Sequence, residues 1–404
     1  MSFQELGLAP EILRALKSKN YETPTPIQVQ AIPAILAGGD VIGCAQTGTG
    51  KTAGFALPIL HRLREGGKSA SPRVLVLTPT RELAAQVYES IRTYGRYLPV
   101  RTAVVFGGVG LYPQKEALRR GVDIVVATPG RLLDHMRQRN VNFKALEVLV
   151  IDEADRMLDM GFIPDIRTLL KSIPSQRQTL LFSATMPEEI QRLANEILKD
   201  PKMIEIVRQG TPVSGVRQVV YSVDAGRKRD LLIHLMEKEK MDQVLVFTRT
   251  KHRADHLAEH LEKKGKRVAV LHSNKSQSAR TQALEAFRRG TIQVLVATNI
   301  AARGLDVKGI SHVVNYEFPD SPEDYVHRIG RTARAAATGD AISLMSSNER
   351  DNLRDIERLM GKKIPMGTVE GFEASARTAP EPVRRPFRRQ PEKRDGWKRS
   401  AYSR

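Results

Sequence analysis

The chain is poor in cysteine, in long apolar runs and in acidic residues. Cys44 is its single cysteine, so no internal disulfide can form, and we expect a reducing compartment, the cytoplasm. It has no apolar run of about 18 residues and no basic-then-apolar N-terminus, so we expect neither a membrane span nor secretion. Asp and Glu number 45 against 64 Lys and Arg, a net charge of +19 that points to a polyanionic partner. A solubilising basic surface is the alternative.

Short Val, Leu and Ile runs that end in Ser, Thr or Asp recur along the chain, each followed by a loop and a helical pattern. They are residues 74–78, 124–128, 148–152, 180–183, 244–248 and 294–298. Continuous apolar strands that alternate with helices predict α/β domains with parallel sheets covered on both faces. Ligands of such sheets bind beyond the carboxyl ends of the strands, where the polar motifs lie.

The strand–helix units fall into two sets. We expect one domain over residues 1–207, a linker over 208–217 and a second domain over 218–368. Residues 369–404 are rich in Arg and Pro and too poor in apolar residues for a core, so we expect a disordered basic tail. Its Arg clusters beside aromatic residues suit nonspecific nucleic-acid contact, although a plain solvated tail fits nearly as well.

A Gly- and Thr-rich turn follows the apolar residues 41–43 and precedes a helical pattern. Its residues are Ala45, Gln46, Thr47, Gly48, Thr49, Gly50, Lys51 and Thr52. Such a turn directs backbone N–H groups inward at a helix N-terminus and binds phosphate. Lys51 supplies a charge for the β- and γ-phosphates, and Thr52 supplies a hydroxyl for Mg²⁺. The phosphate-loop pattern has Gly where this chain has Ala45.

An acidic cluster, Asp152-Glu153-Ala154-Asp155, closes the apolar strand about a hundred residues later. Phosphoryl transfer needs a held Mg²⁺ and a positioned water. Asp152 is suited to the metal and Glu153 to polarising the attacking water. A solvated acidic turn is the alternative, and the preceding phosphate loop disfavours it.

These motifs, in this order over about residues 1–345, resemble the DEAD-box ATP-dependent RNA helicases. Residues 247–252 and 274–277 resemble the bacterial RhlE-like group most. The resemblance implies two tandem RecA-like domains that bind ATP and Mg²⁺. It also identifies a Q motif, within about residues 1–29, in which Gln28 follows Tyr21 and reads adenine while Phe3 stacks on the base.

The resemblance implies further roles around the nucleotide. Asp155, Ser183, Thr185, His327 and Arg328 would couple hydrolysis to RNA movement. Arg331 and Arg334 would be arginine fingers, which neutralise charge on the γ-phosphoryl oxygens when the domains close. Gly304 and Asp306 would approach the ribose.

The family's RNA contacts map onto both domains. They are Pro79, Thr80, Arg81, Gly107, Gly108, Thr128, Pro129, Gly130, Arg131, Thr248, Arg249, Gln277, Arg280 and Thr298. Such hydroxyls, arginines and glycines suit phosphate and sugar, so we expect sequence-independent binding, with 2′-hydroxyls selecting RNA. Only 5% of the residues are aromatic, which disfavours an extended base-stacking platform. Ribosomal and RNA-decay assemblies stay open as partners.

Two positions depart from the family pattern. Asn299 stands where Asp is usual, and Ala333 stands where Gly is usual. We expect the lost carboxylate at Asn299 to remove a charged link between the domains and weaken their closure.

We therefore predict an RNA-stimulated ATPase that opens short RNA duplexes locally or remodels RNA–protein complexes. An ATP-gated RNA clamp or scaffold, in which hydrolysis serves only release, is the alternative. A processive DNA translocase is a third possibility, which Gln28 and the acidic cluster disfavour.

Overall fold

The computed structural model describes residues 1–45, 48–64, 71–206, 215–299, 307, 309–332 and 339–372. Two seven-stranded sheets lie in these residues, the first within residues 41–205 and the second within residues 216–367. Every recorded strand pair is parallel. The alternation of apolar strands and helices predicted this architecture.

The first sheet has the strand order β3-β4-β2-β5-β6-β1-β7. Its strands are β1 Val41–Cys44, β2 Val74–Leu77, β3 Thr102–Val105, β4 Ile124–Ala127, β5 Val148–Asp152, β6 Gln178–Ser183 and β7 Lys202–Glu205. Its central strands are buried on both faces, which explains their uninterrupted apolar runs.

Nine described helices accompany this sheet. They are α1 Pro10–Lys17, α2 Pro26–Leu36, α3 Lys51–Leu63, α4 Arg81–Tyr94, α5 Leu111–Arg119, α6 Pro129–Arg137, α7 Ala154–Asp159, α8 Ile163–Leu170 and α9 Glu188–Ile197. Helices α1 to α4 bury apolar residues against one face, around Val74 and Val76. Helices α5 to α9 cover the other face, around Leu75 and Leu77. Successive side chains of β2 therefore point to opposite faces of the sheet and pack into two separate cores.

The second sheet repeats this topology, with the order β10-β11-β9-β12-β13-β8-β14. Its strands are β8 Val216–Ser222, β9 Val244–Thr248, β10 Val268–Leu271, β11 Val294–Thr298, β12 His312–Asn315, β13 Gly339–Met345 and β14 Met366–Gly367. The described helices are α10 Lys228–Lys238, α11 Lys251–Lys263, α12 Gln277–Arg288, α13 Pro322–Ile329 and α14 Arg350–Met360.

The packed chain extends beyond the boundaries expected for the second domain. Strand β8 begins at Val216, two residues before the expected start. Val369 is buried, and the ring of Phe372 lies 5.6 Å from that of His234, although the basic tail was expected from residue 369. Val369 and Phe372 therefore keep this end of the described chain packed on the core. Residues 373–404 lie outside the described part of the chain.

Helices in the described ranges are all too short or too polar to cross a bilayer.

Candidate active site

The phosphate loop joins β1 to α3, as its spacing predicted. Gly48 and Gly50 have φ of 88° and 92°, a left-handed conformation that favours glycine. Lys51 begins α3, and its buried Nζ donates to the carbonyl of Ala45 at 2.8 Å. The amine is thus held over the mouth of the loop. Gln46 and Thr47, also predicted to bind nucleotide, lie outside the described residues.

Gln28 connects the Q motif to this loop. Its Oε1 accepts from the Thr25 N–H at 2.9 Å, closing a capping box at the start of α2. Its Nε2 donates to the Gly50 carbonyl at 3.0 Å. A Cβ at Gly50 would come within 2.3 Å of Nε2, so this approach requires glycine. A carboxamide has two donors and two lone pairs, so these bonds leave one of each for an adenine edge.

The two aromatic residues predicted at the base site are placed differently from each other. Phe3 is only 4% exposed and packs in the core under α1 and α2. Stacking on adenine would require the ring to present a face, so this structure supports a packing role for Phe3. Tyr21 is 43% exposed and meets Tyr94 edge to face at 6.2 Å.

Asp152 ends β5, two strands from β1 in the sheet, and interacts electrostatically with Lys51 of the phosphate loop. Burial raises the pKa of Asp152 to about 7, although the charge of Lys51 opposes the rise. Its Oδ1 is buried with no hydrogen-bond partner, an arrangement that a cation or its water would satisfy. Thr52, in the first turn of α3, adds a hydroxyl. No group of three or more His, Cys, Asp or Glu is assembled in the described ranges.

Glu153 follows in a left-handed conformation (φ 56°, ψ 54°) and is buried. Burial alone would raise the pKa of Glu153, but the charges of Arg156, Lys51 and Arg331 outweigh it and hold that pKa below its ordinary value. Arg331 comes from the second half of the chain. Arg331 lines one small cavity with Arg156, the ion-pair partner of Glu153, so the predicted arginine finger lies near the carboxylate predicted to polarise water.

Asp155 links the acidic cluster to the end of β6. Its Oδ2 accepts from the Thr185 N–H at 3.0 Å and from the Thr185 hydroxyl at 3.1 Å. Its own N–H donates to the Ser183 hydroxyl at 3.1 Å. These bonds connect the end of β5 to the end of β6, so a shift of one strand end would displace the other. The coupling role predicted for Asp155 requires such a connection.

Helix α13 brings the second-half residues His327 and Arg328 to the cleft. Burial, Arg156 and Arg331 lower the pKa of His327 to about 4, so the imidazole is neutral at physiological pH. Arg331 is buried, and its Nε donates to the His327 carbonyl at 3.2 Å.

The side chain of Asn299 forms hydrogen bonds with two residues of the second half. Its Oδ1 accepts from Arg328 Nε at 2.6 Å, and its Nδ2 donates to Asp324 at 3.0 Å. Both partners belong to the second half. Neither of these hydrogen bonds joins the halves, and the weaker closure expected from the lost carboxylate stays a prediction. The amide suits its two partners because it accepts from Arg328 and donates to Asp324.

A cavity of about 310 Å³ gathers most of the predicted RNA residues of the first half. Its lining includes Pro79, Thr80, Arg81, Gly107, Thr128, Gly130 and Arg131, together with Glu82, Met160, Phe162 and Ser273. A Cβ at Gly108 would come within 1.9 Å of the Arg81 guanidinium, so the glycine lets Arg81 lie on the loop. Arg131 Nη1 donates to the Val109 carbonyl at 3.0 Å.

Gln277 and Arg280, for which RNA contact stays a prediction, contact the first half. Arg280 Nη2 lies 2.8 Å from Glu82 Oε1, and Gln277 Nε2 donates to the same oxygen at 3.1 Å. All three side chains are buried. The contacts close the two halves against each other beside the cavity, a role that the sequence did not predict.

The other predicted RNA residues of the second half lie at strand ends. Thr248 ends β9 and is buried, whereas Arg249 is exposed and lies 3.5 Å from Asp320. Thr298 ends β11. Gly304, Asp306, Ala333 and Arg334 lie outside the described residues.

Comparison with known proteins adds to this geometry. The family described as DEAD/DEAH box helicase matches residues 25–193, and the helicase conserved C-terminal domain matches residues 227–336. The DEAD-box ATP-dependent RNA helicase CshA of Geobacillus kaustophilus is 41% identical over 94% of this chain and 82% of its own. CshA of Bacillus subtilis is 42% identical over 90% of this chain and 73% of its own.

The chain belongs to the DEAD-box family of ATP-dependent RNA helicases. The structure of S. cerevisiae Dbp5 bound to RNA and ADP BeF3 matches it with a TM-score of 0.82 and 32% identity, over 91% of this chain and 95% of that chain. The predicted fold of two RecA-like domains and the predicted enzyme class are confirmed. The helicase is a nucleotide- and RNA-binding protein.

Two ion pairs of the site were not predicted from the sequence. Arg156 pairs with Glu153, and its spacing of three residues within a predicted helix was the signal that could have revealed it. Glu82 pairs with Arg280 from the other half, and no local pattern announces such a contact.

Proposed function

We propose that this helicase couples ATP hydrolysis to local, sequence-independent opening of short RNA duplexes or to remodelling of RNA–protein complexes. The proposal is carried by one observation: Arg331 from the second half lines one small cavity with Arg156, which is the ion-pair partner of Glu153 in the first half. Neither half holds the whole hydrolytic set, so turnover would depend on closure of the cleft. RNA that stabilises the closed arrangement would then stimulate ATP hydrolysis.

In this proposal each side chain acts on a defined group. Lys51 contacts the β- and γ-phosphates, and Glu153 polarises the attacking water. Arg331 and Arg334 neutralise the charge that develops on the γ-phosphoryl oxygens. Thr52 and Asp152 would hold Mg²⁺, which supplies further neutralisation when bound.

The RNA strand would lie along the cavity at Thr80, Arg81 and Arg131 and continue to Arg249. These groups suit phosphates and sugars, which gives affinity without base specificity. Glu82 and Arg280 flank the same cavity, so bound RNA and interdomain closure would support each other. A regular duplex that cannot follow the closed surface would lose pairs locally.

Finer assignments are part of the proposal. Residues 247–252 and 274–277 support an RhlE-like subgroup, whereas the relatives compared above are CshA helicases. The single cysteine supports a cytoplasmic setting. Ribosomal or RNA-decay assemblies are the partners that we would examine first.

Steady-state ATP turnover with and without RNA tests the proposal. We expect strong stimulation by RNA and weaker stimulation by DNA of equal length. Glu153→Gln should lower turnover by about 10²–10⁴-fold, because the water loses its proton acceptor. Arg167→Gln, which breaks an exposed pair with Glu196 in the same half, is the matched control. Fast turnover that ignores RNA would refute the proposal, and duplex opening retained in Glu153→Gln would favour the clamp.

A further inference from the structure

Arg156 is a buried cation that the proposed chemistry does not use. It lies in α7, three residues after Glu153, and its Nη1 is 2.5 Å from Glu153 Oε2. The two side chains are 3% and 5% exposed. Removing an ion pair this completely from water is costly, so the pair contributes little to stability by its charge alone. A role in the function of the site would account for the presence of this ion pair.

The other end of the guanidinium faces the second half of the chain. Arg156 Nη2 is buried and has no hydrogen-bond partner among the described residues. The side chain lines a cavity of about 10 Å³, and every other residue in that lining comes from the second half. They are Phe247, Asn299, Asp324, His327, Arg328 and Arg331. Arg156 therefore extends from the catalytic carboxylate to the docking face of the second half.

The electrostatics agree with this placement. The charge of Arg156 acts on Glu153 in its own half and on His327 across the cleft. Glu153 has a left-handed backbone conformation at the junction between β5 and α7. Its carboxylate is restrained directly by the ion pair with Arg156.

We propose that Arg156 is a positioning residue that orients the Glu153 carboxylate and makes this orientation depend on docking of the second half. The inference rests on the proposed role of Glu153 and adds a second connection between closure and hydrolysis, separate from the arginine fingers. Arginine suits this task because its planar fork offers two nitrogens to two partners, whereas lysine offers one point charge.

The test measures kcat, KM for ATP, and RNA affinity with a non-hydrolysable ATP analogue. Arg156→Met should lower RNA-stimulated kcat by about 10²-fold, because a small misplacement of a catalytic group has effects of that size. KM and RNA affinity should stay near those of the Arg167→Gln control. Arg156→Lys should recover part of kcat, since it keeps the charge beside Glu153 but loses the fork.

A double-mutant comparison separates positioning from general damage. In a Glu153→Gln background, Arg156→Met should lower kcat no further, because the group it positions is gone. Unchanged kcat in Arg156→Met, or an equal loss in both backgrounds, would overturn the inference. If Arg156→Met does not fold, Arg156→Lys decides, and full kcat in that variant would overturn it. Normal turnover in Glu153→Gln itself would instead refute the proposed function.

Discussion

The two halves of the helicase share a sheet topology, and each has a lysine at the same position in it. The two lysines have different partners. Lys51 and Lys228 each begin the helix that follows the corresponding strand, β1 or β8, and each is buried. Lys51 lies over a loop with two left-handed glycines and beside Asp152. Lys228 Nζ is 2.6 Å from Glu349, and a short 3-10 helix, Ala225–Arg227, replaces the loop.

The contrast shows what separates a ligand site from an internal ion pair. In the second half, the carboxylate of Glu349 takes the place next to the lysine that a phosphate would take in the first. Burial alone would raise the pKa of Glu349, but Lys228 holds it below its ordinary value, so the partner is a resident anion. Topology therefore sets where a site can form, and the loop and its partners decide whether it binds a ligand.

The largest effect that we expect separates these two lysines by activity. Lys51→Ala should lower RNA-stimulated ATP turnover by about 10²–10³-fold, because a cation aimed at the reacting phosphates is lost. Lys228→Met should leave turnover per folded molecule unchanged. Similar losses of kcat in both variants would contradict the assignment of Lys51 to a ligand site and of Lys228 to an internal ion pair.

The next effect separates them by stability. Lys228→Met leaves Glu349 buried without its cation, and we expect the second half to lose about 3–5 kcal/mol, measured by urea unfolding. Adding Glu349→Gln should restore much of this loss, since no charge is then left unpaired. A Lys228→Met variant as stable as the Arg167→Gln control would contradict the resident-anion interpretation.

The interface between the halves gives a smaller effect. Glu82→Gln removes the carboxylate that meets Arg280, and we expect the RNA concentration for half-maximal ATPase stimulation to rise about 10-fold, or 1.4 kcal/mol. The kcat at saturating RNA should change less, because Glu82 is remote from the hydrolytic residues in the contacts described. An unchanged RNA requirement would remove Glu82 from the closure mechanism.

The smallest effect concerns the basic segment attached to the second half. Deleting residues 373–404 removes ten Lys and Arg but spares Phe372, which packs on the core. We expect a few-fold rise in the RNA concentration for half-maximal stimulation and a flatter dependence on salt, because fewer phosphates are neutralised. Identical salt slopes with and without this segment would discard a role in RNA binding.

Features that depend on neighbouring residues were accessible from the sequence. The apolar runs predicted the strands, and the spacing from Gly48 to Thr52 predicted the turn into α3. The acidic cluster was expected at a strand end, where Asp152 and Glu153 indeed lie. Backbone conformation and helix starts are set by a few adjacent residues, so a short pattern is sufficient.

Features that depend on contacts between distant segments were not accessible. Glu82 and Gln277 are 195 residues apart, and nothing local to either predicts their hydrogen bond. Phe3 is buried in the core, and this burial was not predicted from the sequence. Asn299 bridges Arg328 and Asp324 within the second half, and the sequence did not predict these two partners.

The order of residues alone was thus enough to establish the family, the two sheets and the chemistry of the phosphate loop, because each depends on local spacing. The choice between ligand site and ion pair at Lys51 and Lys228 depended on tertiary packing within each half. The contacts of Glu82 with Gln277 and Arg280 depended on how the folded halves meet. Burial sets how strongly those charges interact, and burial is a property of the folded chain.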